Sequence, residues 1–185
     1  MHAETFMSEV ASIASKFDWR QIEMMAEDLS RVEGRIYLVG LGGSLANCSH
    51  MAADLRKLCG IDAVAPESMA ELTAWANDER WNSLFVGYLE RCTNKDALFV
   101  LSVGGGTSEV SIPILRSVMF ADKKGMKIFG IVGPKGGETA KVGDCVIRIP
   151  VDNPKHVTPH TEAFQAVVWH CLVSHPLLQK RPTKW

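Results

Sequence analysis

The chain has 185 residues, 46% of them apolar, and a formal net charge of −1. That size suits a single domain with a real hydrophobic core. Its 20 lysines and arginines are scattered with no basic block, which argues against nucleic acid as the main partner. No apolar run reaches the length that crosses a bilayer, so no membrane partner is expected.

The N-terminus, Met1 to Phe6, lacks the basic start and apolar core of a signal peptide. Five cysteines, Cys48, Cys59, Cys92, Cys145 and Cys171, match no zinc-knuckle or CxxC spacing. Free thiols in a reducing, cytoplasmic setting are expected.

Residues 3–16 and 19–32 read as two amphipathic helices split near Asp18. Arg35 to Val39 is a short apolar strand, followed by helical spacing from Ser44 to Leu58 with Ser44 as N-cap. Ile61 to Val64 reads as a strand, and helical segments fall near 68–76 and 81–91. Ala97 to Leu101 is a buried strand, then a helix runs from Thr107 to Lys124 and closes at Gly125. Lys127 to Val132 is a strand, Glu138 to Lys141 a short helix, and Cys145 to Ile149 the last strand. Thr158-Pro159 opens the final helix with proline at its first position, and that helix stops near His175-Pro176. Apolar strands alternating with helices predict a mostly parallel sheet covered on both faces.

Two glycine-rich turns fall at the carboxyl ends of strands, where open α/β sheets bind ligands. The first is Gly40-Leu41-Gly42-Gly43-Ser44 and the second Ser102-Val103-Gly104-Gly105-Gly106-Thr107. Glycine lets backbone N–H groups approach a ligand, and a helix N-terminus favours an anion. Neither turn is GxxxxGK[ST] or GxGxxG, so a phosphoester smaller than a nucleotide is expected.

His50 and Asp54 lie four apart on the helix after the first turn, on one face. Glu162 and His170 lie eight apart on the last helix, about 80° apart around its axis, so one face can carry both. Two histidines and two carboxylates suit acid–base chemistry or a divalent metal. Spacing alone does not bring the two pairs together. His2, His156, His160 and His175 have no partner at helical spacing and read as surface or helix-end residues. Asp78 reads as a turn residue, and the tryptophans and methionines as core or interface.

Val39 to Ser44, followed by His50 and Asp54, resembles the sugar isomerase (SIS) domain, and more narrowly its sedoheptulose 7-phosphate isomerase (phosphoheptose isomerase) branch. The likeness spans nearly the whole chain: two N-terminal helices, both turns, Ala76-Asn77-Asp78, Gly125-Met126-Lys127 and a last helix bearing His170. It implies a three-layer, doubly wound, flavodoxin-like fold with a five-stranded parallel sheet. It also implies a homotetramer with active sites between subunits, in which residues 1–33 serve oligomerisation and 34–185 form the α/β core. Asp54 and His170 match the family's acid–base pair. His50, Asp54, Glu162 and His170 match the set that holds zinc in some members, so a divalent metal, zinc, is the expected cofactor. Gly42, Gly43, Ser44, Ser102, Gly104 and Thr107 match phosphate-loop positions, and Asp78 a substrate-contacting aspartate.

Four departures stand out. Asp54 replaces a usual glutamate and Glu162 a usual glutamine, Leu41 replaces an asparagine, and the second turn lacks hydroxyls at Val103 and Gly104. The expected reaction is aldose–ketose isomerisation of a sugar phosphate, most directly sedoheptulose 7-phosphate, through an enediol. Two other readings stay open at this point. One is a non-catalytic phosphosugar binder or regulator, which has no need of Asp54 with His170. The other is an isomerase of a different phosphosugar.

Overall fold

The computed structural model describes residues 1–184. Two helices, α1 (His2–Lys16) and α2 (Trp19–Ser30), precede β1 (Ile36–Val39). Then follow α3 (Gly43–Asp54), β2 (Ala63–Val64), α4 (Met69–Asp78), α5 (Val86–Leu89), β3 (Ala97–Ser102) and α6 (Ile112–Lys124). The chain continues through β4 (Lys127–Val132), α7 (Gly137–Val142), β5 (Cys145–Arg148) and α8 (Val157–Val173). All five strands pair in parallel, in the order β2-β1-β3-β4-β5. The expected doubly wound, five-stranded fold is what the chain forms.

Each central strand feeds two cores because successive side chains point to opposite faces. Leu38, Phe99 and Leu101 pack on one face with Met51, Leu55, Phe164 and Trp169. Tyr37, Val39, Leu98 and Val100 pack on the other with Leu72, Phe85, Ile114 and Val118. This is why β1 and β3 are buried throughout and, but for Ser102 at the end of β3, lack charged or strongly polar side chains. β1 is flanked by β2 on one side and β3 on the other. Strand order therefore reverses between β1 and β3, and both glycine-rich turns leave the sheet there.

Three helix starts differ from the sequence reading. α3 is capped by Gly42, with φ +60°, so Ser44 lies inside the first turn rather than at its cap. α6 begins at Ile112, not Thr107, because Gly105, Gly106 and Ser111 all take positive φ and hold the preceding segment out of a helix. α8 begins at Val157, which puts Pro159 third rather than first. The single helix expected over 81–91 is also broken. It becomes a tight turn at Trp81–Ser83 and the short α5, after Arg80 at φ +71°. A wider π-helical turn, Leu55–Cys59, directly follows Asp54 and stops at Gly60. Such turns interrupt α-helices, frequently at functional sites.

His156 and His160 are not the partnerless surface residues the spacing suggested. Glu9 on α1 accepts from Asn153 Nδ2 at 2.7 Å. Its other oxygen lies 2.6 Å from His156 Nδ1 and 2.8 Å from His160 Nε2. His160 is fully buried. Hydrogen bonds from Asn153, His160 and His156 hold the Glu9 carboxyl down to about 2. With the Lys16–Asp152 ion pair, this group pins α1 to the segment leading into α8. The spacing rule missed it because the partner lies 147 residues away from His156 in sequence.

Asp96 ties the sheet's first and third strands at their starts. Its carboxylate accepts from Arg35 N at 2.7 Å, Thr93 N at 2.6 Å and Thr93 Oγ1 at 3.0 Å. Burial pushes this carboxyl up, but the Thr93 and Arg35 amides outweigh it and hold it below the ordinary value. Asp96→Ala should cost about 1–2 kcal/mol at neutral pH, the modest end because the group is partly solvated. An unfolded aspartate titrates near pH 3.9. The contribution is therefore complete above that pH and lost as the pH falls through the lower folded value. Urea unfolding of both proteins should give a gap at pH 7 that narrows below about pH 4.

Candidate active site

The turn after β1 needs glycine at Gly42 for its positive φ. Past it, Ser44 is buried and its hydroxyl sits in a polar knot between α3 and α8. It donates to Glu162 Oε1 at 3.4 Å and accepts from Gln165 Nε2 at 3.3 Å. Asn47 Nδ2 donates to the Glu162 carbonyl at 3.0 Å and to Gln165 Oε1 at 2.9 Å. Neither Asn47 nor Gln165 was singled out from sequence. The available signal was Gln165, a polar residue three positions after Glu162 on an otherwise apolar helix face.

Two turns along α3, Asp54 meets α8. Its Oδ2 lies 3.5 Å from His50 Nε2 and 3.6 Å from His170 Nε2. It also accepts from the Trp169 indole N–H at 3.3 Å. The His50 ring stands edge-on to Trp169 and His170, with centroids 5.3 Å and 5.4 Å away. His170 Nδ1 lies 2.8 Å from the Ala166 carbonyl. A carbonyl only accepts, so Nδ1 carries a proton, and Nε2, turned towards Asp54, is the nitrogen left to take up or release one. The structure thus joins His50, Asp54 and His170, three of the four residues matched to metal ligation.

Glu162, the fourth, lies elsewhere. Its carboxylate rests against Gly43, where an added Cβ would come within 2.5 Å of Oε2. It occupies the N-terminal end of α3, the place the sequence reading gave to phosphate. Asp78 accepts from Asn77 Nδ2 at 2.8 Å at the end of α4, and no hydrogen bond or ion pair joins it to the cluster.

Among the described residues, two groups bring three His and carboxylate side chains together: His50–Asp54–His170 and Glu9–His156–His160. Distance separates their chemistry. Tetrahedral ligands about 2.0–2.1 Å from zinc stand roughly 3.3–3.5 Å from one another. The 3.5 and 3.6 Å separations around Asp54 fit that. The 2.6 and 2.8 Å separations around Glu9 are hydrogen bonds. The first group fits an ion and the second is an anchor. Cys59 offers no competing thiolate, since burial and then the Asp54 charge push its thiol up to about 11.

The second turn is built mainly from backbone. Ser102 Oγ accepts from Gly105 N at 3.0 Å and keeps its own proton to donate. Thr107 Oγ1 accepts from Val110 N at 2.9 Å and donates to the Val110 carbonyl at 3.1 Å, so this hydroxyl shapes the turn. The Gly105 and Gly106 carbonyls accept from Thr139 N and Glu138 N at the start of α7. Among the described residues no hydrogen bond engages the Gly104, Gly106 or Ser108 amides. Lys135, Lys141, Arg148 and Glu138 line the cleft beside Gly106, Thr107 and Ser108, with Lys141 paired to Glu138 at 3.0 Å.

No family model matches the chain. The phosphoheptose isomerase of Mycobacterium tuberculosis is 31% identical over 160 residues, covering 82% of this chain and 78% of that one. The chain belongs to the phosphoheptose isomerase family. The phosphoheptose isomerase of Sulfurimonas denitrificans is 30% identical over 158 residues, covering 82% of this chain and 77% of that one. A solved phosphoheptose isomerase from Neisseria gonorrhoeae superposes with a TM-score of 0.78 at 22% identity over 93% of both chains, which shows the shared fold.

The glycines of the second turn should separate sharply on substitution. A Cβ at Gly105 would collide with the Gly136 carbonyl, and φ there is +68°. Gly104 has open space, its nearest neighbour being Ser111 Oγ at 3.7 Å. Gly105→Ala should therefore lose about 2 kcal/mol or more, whereas Gly104→Ser stays within about 0.5 kcal/mol of the parent in urea unfolding.

Proposed function

We propose that the chain, a phosphosugar isomerase by family, converts sedoheptulose 7-phosphate to D-glycero-D-manno-heptose 7-phosphate. The observation that carries this reading is the meeting of Asp54 from α3 with Nε2 of His170 from α8. Those two groups supply an acid–base pair. One removes the proton from C1 while its protonated partner gives a proton to O2, leaving an enediol across C1 and C2. The group that took the C1 proton then returns it to C2, and the partner takes the proton from O1 as the C1 aldehyde forms.

A divalent ion, zinc by resemblance, would be held by His50, Asp54 and His170, and it would stabilise negative charge developing on the substrate oxygens. Glu162 joins that set only by turning its carboxylate away from Gly43. The phosphate is assigned to the second turn. There the free amides of Gly104 and Gly106 and the Ser102 hydroxyl donate, and Lys135, Lys141 and Arg148 add positive charge in place of the missing hydroxyls. Thr107 keeps the turn's shape. Gly42, Gly43 and Ser44 present the α3 terminus to sugar hydroxyls, because the Glu162 carboxylate beside them would repel a phosphate. Asp78 reaches the substrate from a neighbouring copy.

His50 and His170 are exposed over about half of their side chains, at 59% and 51%. A reacting carbonyl needs a drier site than that. This exposure supports a homotetramer whose neighbouring subunit closes each site, with residues 1–33 serving the assembly. No helix is long and apolar enough to cross a membrane, and a cytoplasmic setting suits a sugar-phosphate substrate.

The test is turnover of a sugar-phosphate panel by the purified protein, with and without chelator. Sedoheptulose 7-phosphate should be the best substrate. Asp54→Asn and His170→Ala should each lower kcat by about 10²-fold or more, with KM nearly unchanged. Unchanged turnover in both variants would remove the assignment. Gly104→Ser should lower KM by restoring a hydroxyl to the turn.

A further inference from the structure

Trp169 is among the tryptophans that read, by sequence, as core or interface. Its ring is 1% exposed, so its N–H has no water and needs a partner within the protein. That partner is Asp54 Oδ2, at 3.3 Å. The same oxygen faces both His50 Nε2 and His170 Nε2. The indole also underlies both rings, with centroids 5.3 Å from His50 and 4.9 Å from His170. Trp169 is a buried side chain that touches all three members of the cluster.

We propose that Trp169 is a positioning residue for the isomerase site, fixing the Asp54 carboxylate so that Oδ2 faces both histidine nitrogens. This rests on the acid–base reading above. An aspartate carboxylate has two rotatable bonds between it and the backbone, and Asp54 is 18% exposed at the rim of α3. Without a donor beneath it, the group would turn towards solvent. The fixed indole N–H removes that freedom, and catalysis is steep in such placement. It also explains how the short side chain at position 54 serves where a longer carboxylate is usual in the family. The reach lost with one methylene is replaced by a donor rigid in the core. The indole acts through the carboxylate and the two imidazoles it packs against, not on the substrate.

The test is a double-mutant cycle over the parent, Trp169→Phe, Asp54→Ala and the double variant. Phenylalanine keeps most of the buried ring and removes only the N–H and one ring edge. Trp169→Phe should lower kcat by about tenfold and leave KM within about twofold. It should also weaken zinc binding by a similar factor, read by chelator competition. In the Asp54→Ala background the same substitution should change neither quantity, because the acceptor is gone. Equal kcat in the parent and Trp169→Phe would overturn the proposal. So would an equal loss in both backgrounds, which marks a purely structural role. If the parent turns over no sugar phosphate, the functional reading fails by itself. The zinc-affinity cycle then decides on Trp169, and coupling supports its role while additivity overturns it. Should Trp169→Phe not fold, Trp169→His keeps a ring N–H donor and should retain more affinity than Trp169→Leu, with equality contradicting the proposal.

Discussion

The packing of α3 against α8 is the contact on which the site depends. Neither helix carries the chemistry alone. Asp54 and His170 are 116 positions apart, and they meet only because the two helices lie side by side on one face of the sheet. A polar knot sets the register of that contact. Ser44, Asn47, Gln165 and Glu162 are joined by hydrogen bonds, one of them buried and the rest partly so. Buried polar groups of this kind are expensive to leave unpaired, so sliding one helix by a turn would orphan several of them at once. The knot lies two turns from Asp54, close enough for its register to fix where the cluster forms.

The sheet supplies the other half of the geometry. Because β1 and β3 are neighbours and strand order reverses between them, the two glycine-rich turns emerge side by side. One is occupied by the protein's own carboxylate, Glu162, against Gly43. The other keeps free amides and a cationic cleft. This asymmetry divides the work between the turns. The first orders the helix that bears His50 and Asp54, and the second is free to take an anion. A glutamine at 162 could sit beside a phosphate without repulsion, so the charged residue here ties the division of labour to this chain's own sequence.

Much of the fold was legible because its signals are local. The apolar runs at 35–39 and 97–101 and the Gly125 stop each depend on neighbours within a few residues, and the structure has all of them. The misplaced helix starts at Ser44 and Thr107 share a cause. Cap preferences were trusted, while positive φ at Gly42, Gly105, Gly106 and Ser111 decided where backbone turns first became helical. At Pro159 the helix simply begins two residues earlier, after His156. In the site, the i, i+4 pairing of His50 with Asp54 could be read along one helix. What could not be read were partners more than a hundred residues apart. These are Trp169 beneath Asp54, Gln165 beside Asn47, Glu9 between His156 and His160, and the turning of Glu162 towards Gly43. Spacing places a residue on a helix face, and only packing says what that face meets.

The central claim is that α3 and α8 together move a proton between adjacent carbons of a sugar phosphate. Its most direct measurement is NMR of sedoheptulose 7-phosphate turned over in deuterium oxide. The account predicts an aldose 7-phosphate bearing solvent deuterium at C2, formed by the parent protein and not by one carrying both Asp54→Asn and His170→Ala. It would be contradicted by no aldose at any zinc loading, or by the same deuterated product at the same rate from the doubly substituted protein.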